Sequence, residues 1–411
     1  MIESQLVATP AAVSTSKKSS RLLSLDALRG FDMFWIISGE EIFHGMANVV
    51  KDKYALARNP ETWQIATNAD LSFIERIAVG ISNQLHHTLW NGFTFYDLIF
   101  PLFIFISGVS MPYSYSRYLA GLGGDEAKYQ IYKSLIKRTL LLIFFGMIVN
   151  GLFKFQGYEN TRFASVLGRI ALACFFAALI YLNSSLKKQI IWFVAILTGY
   201  WALMVLVPVP GHGAGVLSPG ENLSAYIDQQ FLPGKLHRKV YDPEGLLSTI
   251  PAVATALLGI FTGQFLRWET TQQWNPSKKM IVMLGTSLLL ILLGLAWDTV
   301  FPINKNMWTS SFVLYAGGWS LLLFAAFYGI IDVAGYNRWC QPFIWIGTNS
   351  ILIYIAAHGL INFESTSQFL FGGLTSSASE AWQHVWIWTG VLLIQLLLLR
   401  FLYQKKIFLK I

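Results

Sequence analysis

Charge is scarce in this chain. Of 411 residues only 13% are Asp, Glu, Lys or Arg, whereas 54% are hydrophobic, 15% are aromatic and the mean hydropathy is +0.50. A soluble protein carries about twice that share of charge, so an ordinary water-soluble fold is excluded and a polytopic membrane protein is implied. Cysteine is nearly absent too: Cys174 lies within an apolar run and Cys340 beside an expected loop, so no disulfide framework is implied. There is no HExxH, no paired CxxC, no P-loop, no GxGxxG in a βαβ setting and no GxSxG elbow. No metal site is expected, and the adjacent His86 and His87 make a poor metal pair because neighbouring side chains do not project to one side. Residues 1–20 lack a basic segment ahead of an apolar core, so they read as a disordered cytoplasmic tail and not as a cleavable signal peptide.

What is present is a series of long apolar runs. Spans are expected near 25–45, 93–114, 134–153, 164–183, 189–208, 246–266, 280–299, 310–331, 342–361 and 384–403, giving an all-α bundle of about ten transmembrane helices over 21–411. An even number places both termini on one side. The short stretches 115–133, 184–188, 267–279 and the C-terminal tail are basic, which assigns that side to the cytoplasm. The net charge of +8 is then a matter of topology, and the partner it implies is the lipid bilayer, not nucleic acid. In this orientation all seven histidines fall outside the cytoplasm or at outer ends of spans, which points to an outward-facing polar site.

The densest junction is Leu85 to Ser110, where two histidines and Trp90-Asn91-Gly92 abut the mouth of an apolar span. Asp97 lies one turn inside that span, a costly position unless it faces a wet or protein-lined interior. His87, just outside the apolar run, stands where a catalytic base is useful. The first span carries Asp26 and Arg29 one turn apart, then Asp32, Glu40 and Glu41, and so expects a partly wet path. An amphipathic helix is expected over 71–84, lying on the outer surface. The Gly- and Pro-rich loop 209–245 ends in Asp242-Pro243-Glu244-Gly245, whose carboxylates either bind a polar substrate or cap the next helix. Asn304, Lys305 and Asn306 sit at the membrane edge, and Asn349 and His358 share the ninth span. This pattern suits transport or transmembrane group transfer.

SLDALRG at 24–30, HTLWNGFTFYDLIFPLFIFISGVS at 87–110, VLGRI at 166–170, YDPEG at 241–245, PINKNMW at 302–308, GTNSILIYI at 347–355 and the terminal KKIFLKI strongly resemble the heparan-alpha-glucosaminide N-acetyltransferase family. The motifs keep their order over nearly all of 21–411. The resemblance implies a membrane-embedded enzyme that takes acetyl from cytosolic acetyl-CoA and delivers it to a glucosamine-type amine on the far side. It implies that His87, and not His86, is catalytic, with Asn91 and Asp97 beside it. Asp26, Arg29, Arg138 and Arg169 are the expected CoA path. Glu40, Trp90, Asp242, Glu244, Asn304, Lys305, Asn306, Asn349 and His358 are the expected acceptor contacts. Three features depart from the family: the large luminal domain before the first shared span has no counterpart, 46–84 is an addition, and Glu40 stands where the family can have Asn. The expected location is a bacterial cytoplasmic membrane, and a homodimer is left open.

Two other functions fit the same residues. One is a transporter of amino sugars or cell-wall fragments, although no internal repeat is visible. The other is an O-acetyltransferase acting on the hydroxyls of a surface polysaccharide.

Overall fold

The computed structural model describes residues 22–409 apart from 68–69, 122–123, 269–270 and 272. The tail expected over 1–20 lies outside the described residues. Apolar runs become helices where polar residues close their first turn. Ser165 accepts from the Gly168 N–H at 3.0 Å, Asn222 from the Ala225 N–H at 3.0 Å and Asn275 from the Ser277 N–H at 3.0 Å, each supplying a partner for an otherwise orphaned amide. Fifteen α-helices concern us: α1 (Leu23–Phe34), α2 (Glu40–Tyr54), α3 (Phe73–Gln84), α4 (Phe95–Gly121), α5 (Gly124–Val149), α6 (Val166–Asn183), α7 (Leu186–Leu206), α8 (Leu223–Phe231), α9 (Thr249–Arg267), α10 (Pro276–Asp298), α11 (Ser310–Phe327), α12 (Gln341–Thr348), α13 (Ser350–Ile355), α14 (Phe363–Thr375) and α15 (Glu380–Gln404). The described residues contain no β-strand, only isolated bridges.

Among the described residues seven helices are long and apolar enough to cross a membrane, and the bent pair α12–α13 makes an eighth if counted as one span. The remaining two expected spans fall on α1–α2 and α5, which are helical but carry too many charges to qualify by composition. A total of ten is therefore not established. α1 joins α2 through a π-helical segment, Trp35–Gly39, without leaving helical geometry. α4 runs unbroken through Pro101 and Pro112. The sharp break lies instead at Asn349, where α12 and α13 meet at 76°. The Asn349 amide donates to the Ile407 carbonyl at 3.0 Å and accepts from the Leu409 N–H at 3.0 Å, tying the C-terminal segment into the break.

α4 and α9 form the centre of the bundle, with 83% and 78% of their apolar windows buried, whereas α7 and α10 turn most of theirs outward. Glycine sets how closely the inner helices approach. A Cβ on Gly108 would stand 2.2 Å from the Ala256 carbonyl and one on Gly259 2.0 Å from that of Phe105, so α4 and α9 touch backbone to backbone. Gly30 and Gly347 do the same for α1 and α12. The amphipathic helix expected over 71–84 is α3, opened by a Ser72–Glu75 capping box.

Candidate functional site

The site is assembled by two loops at one end of the bundle. Gly92 adopts φ +113°, a conformation that side chains disfavour, and its N–H reaches the Ile303 carbonyl at 2.9 Å. Asn304, fully buried, donates to Asn91 Oδ1 at 3.0 Å and accepts from the Met307 N–H at 2.9 Å. These bonds join loop 85–94 to loop 299–309 and carry Lys305 to His87.

His87 Nδ1 lies 2.8 Å from Asp97 Oδ1. The other oxygen of Asp97 accepts from Thr94 N and Oγ1 at 3.2 and 3.1 Å and from Thr88 N and Oγ1 at 3.3 and 3.2 Å. A buried carboxylate so saturated fixes the imidazole, with Nδ1–H toward Asp97 and Nε2 left for a substrate. Lys305 Nζ stands 3.1 and 3.2 Å from the two ring nitrogens and 3.5 Å from Asp97 Oδ1. Of the His87 side chain 46% is accessible, and it faces a cavity of about 210 Å³ walled by Tyr96, Ile99, Phe100, Ile351 and Tyr354. Burial, and next the Lys305 charge, hold the His87 imidazole below its ordinary pKa, against the Asp97 hydrogen bond that favours protonation. Burial likewise lowers the Lys305 ammonium, with Asp97 and Glu244 opposing. His86 points the other way and stacks on His44, ring centroids 4.2 Å apart.

A second cavity, of about 440 Å³, is lined by Asp26, Arg29, Ser107, Ser110, Arg138 and Asn349 among others. Arg29 lies 3.5 Å from Asp26. The two cavities share Phe103 and Ile351 as walls. Their lining follows continuous helical stripes: Tyr96, Ile99, Phe100, Phe103, Ser107, Ser110 and Ser114 on α4, and Leu25, Asp26, Arg29, Met33 and Ile36 on α1 and the turn that follows it. Tyr96 to Ser114 corresponds to about 27 Å of helix, close to the ~30 Å of a bilayer's hydrocarbon layer. Leu22 and Leu409, near the two ends of the described chain, both line the Arg29 cavity.

Several expected residues fall elsewhere. Arg169 is not with Arg29 and Arg138: α6 starts at the His87 end, so Arg169 is buried there, donating to the Gly245 carbonyl at 3.2 Å and to Ser248, 5.1 Å from the Trp308 ring. Asp242 is saturated by Arg162 at 2.8 and 2.6 Å and by the N–H groups of His237 and Glu244, so it holds the loop and has no bond left for a sugar. Its burial would raise the carboxyl, but the Arg162 bonds hold it below the usual range. Glu244 also meets Arg162 and does line the His87 cavity, as does His358. Trp90 donates to the Leu217 carbonyl at 2.9 Å, anchoring the 209–245 loop. Asn304 is consumed by the loop junction, and Asn306 is half-buried and not among the residues lining the His87 cavity. Asn349 lines the Arg29 cavity, not the His87 one. Glu40 lines a third cavity beside His358. Sequence reasoning missed Tyr96, Tyr354 and Arg162. Tyr96 carried a signal, standing three positions before Ile99 on the stripe of α4, whereas Arg162 meets carboxylates eighty residues away and carried none.

A family model described as "Heparan-alpha-glucosaminide N-acetyltransferase, catalytic" matches residues 65–296, more than half of the chain. Two curated relatives bear the name heparan-alpha-glucosaminide N-acetyltransferase. The one from Homo sapiens is 28% identical over 382 residues, 79% of this chain and 55% of the relative; the one from Mus musculus is 26% identical over 377 residues, 79% and 56%. The chain thus spans about half the length of these relatives. With an all-α, membrane-spanning architecture and the model match over the segment that holds His87 and Asp97, the chain belongs to the heparan-alpha-glucosaminide N-acetyltransferase catalytic family.

Proposed function

We propose that the protein is a transmembrane N-acetyltransferase that moves acetyl from cytosolic acetyl-CoA to the amine of a glucosamine-type sugar on the extracytoplasmic side. The observation that carries this reading is the pair of adjoining cavities, one with arginines and one with a histidine, which share Phe103 and Ile351 as walls. CoA is too charged to cross lipid, so donor and acceptor must meet inside the protein. Arg29 and Arg138 suit phosphates, since guanidinium groups form charge-assisted hydrogen bonds to them, and Ser107, Ser110 and Ser114 line a polar route inward. The pantetheine arm, thin and uncharged, passes Phe103 and Ile351 toward His87. In this reading the cytoplasmic side is the one that holds the arginine cavity, which Leu22 and Leu409 also line.

At the His87 end the acceptor amine gives its proton to Nε2 and its nitrogen attacks the thioester carbonyl. The C–S bond breaks as the thiolate takes the proton back from the imidazole. In a two-step form Nε2 first displaces the CoA thiolate from the acetyl carbon, and the amine then displaces the imidazole, its proton going to the thiolate. Asp97 holds the tautomer in either case, and Lys305 keeps the ring unprotonated and offers a cation to the carbonyl oxygen.

Purified protein in detergent, given labelled acetyl-CoA and glucosamine, is expected to yield N-acetylglucosamine and no product from a sugar lacking the amine. Labelled acetyl-CoA alone separates the two routes, since only the second leaves label on the protein. No transfer to any acceptor would overturn the proposal.

A further inference from the structure

A third cavity, of about 490 Å³, adjoins the His87 cavity and shares Ile36 and His358 with it. It lies between the α1–α2 junction, the 357–364 segment and α15. Its volume is within the range of small-ligand sites. Glu40, Glu41 and Glu364 line it, Trp388 supplies an aromatic face and Gln395 forms part of its floor, while among the described residues no Lys or Arg lines it. Glu41 is partly offset by His384, 3.4 Å away. Glu40 lines this cavity together with Ile36 and His358, which also wall the His87 cavity, so it stands beside the passage between the two spaces.

We propose that this cavity is the entry and binding site of the acceptor and that it selects a cationic amino sugar, the ammonium held by Glu40 and Glu364 and the ring against Trp388, over sugars bearing sulfate, phosphate or carboxylate groups. The inference rests on the acetyl-transfer reading of the His87 site. Its logic is electrostatic. An ammonium is favoured among carboxylates and over an indole face, whereas an anionic group there meets like charge at Glu40 and Glu364. Passing from this cavity toward Lys305 and Arg169 moves the amine from negative to positive surroundings, which favours release of the ammonium proton to water, so that the neutral amine reaches His87 and gives its second proton to Nε2 as it attacks. The arginine cavity at the other end has the opposite character and suits the phosphates of the donor.

The test compares glucosamine with glucosamine 6-phosphate and glucosamine 6-sulfate as acceptors for the purified wild type and a Glu40→Gln/Glu364→Gln variant. The wild type is expected to favour glucosamine by about tenfold or more in kcat/KM. The variant should raise KM for glucosamine by about tenfold, leave KM for acetyl-CoA unchanged and lose most of the preference. A wild type that uses the anionic sugars equally well, or a variant with unaltered preference, would overturn the inference. If the variant fails to bind acetyl-CoA, the wild-type ranking decides alone. If the wild type acetylates no amine, the parent reading fails, and equilibrium binding of the same sugars still tests the cavity: tighter binding of glucosamine supports it and equal or weaker binding rejects it.

Discussion

His87 and Asp97 are ten residues apart in the chain and 2.8 Å apart in space, the carboxylate in the first turn of α4 and the imidazole on the loop that leads into it. With four further donors on its other oxygen, Asp97 keeps Oδ1 for His87 Nδ1–H and for the Lys305 ammonium 3.5 Å away. Asp97→Asn keeps the volume but removes the acceptor that selects the tautomer. It is expected to lower kcat about 10²- to 10⁴-fold, the usual worth of an oriented general base, with acetyl-CoA affinity preserved. A kcat within threefold of wild type would remove Asp97 from the mechanism.

Lys305 should appear in the pH profile. Activity needs the unprotonated imidazole, so kcat rises with pH through the His87 pKa, which burial and Lys305 place below the ordinary value of about 6.5. Lys305→Met removes the repelling cation, raises the His87 pKa and moves the acid limb of kcat to higher pH. Lys305→Arg, which keeps the charge, should retain a limb close to that of wild type. An acid limb unmoved in Lys305→Met would show that Lys305 does not act through His87.

Arg138 should matter to the donor alone. Arg138→Ala is expected to weaken acetyl-CoA binding by about 1–3 kcal/mol, roughly 5- to 150-fold, with KM for the acceptor unchanged. Isothermal titration with acetyl-CoA checks this, and an unaltered affinity would exclude Arg138 from the phosphate site.

The proposed orientation has a direct readout. A cysteine at Gly213 should react with an impermeant maleimide added to intact cells, and one at Lys188 only after permeabilisation. Labelling of Lys188→Cys alone from outside would invert the topology.

Much of the fold was legible because apolar runs near span length leave the backbone no alternative to a helix in lipid. All ten expected stretches fall on helices, but α1–α2 and α5 show why a count from composition fails: some of their charges, Asp26, Arg29, Glu40, Glu41 and Arg138, line internal cavities, and a rule built on lipid-facing helices rejects them. The pairing of His87 with Asp97 was partly legible, since a loop histidine and a first-turn carboxylate ten residues on are joined by local geometry. Arg169 was misplaced because the direction of α6 depends on the bundle's packing, which puts its start against Ser248 and Trp308. Asp242 and Asn349 bond to Arg162 and to the Ile407–Leu409 backbone, partners far along the chain that no sequence signal reveals. The carboxylate-lined cavity was likewise hidden, since Glu40 and Glu364 are brought to one space only by the fold.

The most direct test of the account compares two neighbours. His87 faces Asp97 and the cavity, while His86 stacks on His44 away from it. Acetyl transfer from labelled acetyl-CoA to glucosamine should be measured for His87→Ala and His86→Ala, each checked for acetyl-CoA binding. The account predicts that His87→Ala loses transfer while still binding acetyl-CoA, and that His86→Ala retains most of it. Wild-type turnover in His87→Ala, or loss confined to His86→Ala, would contradict it.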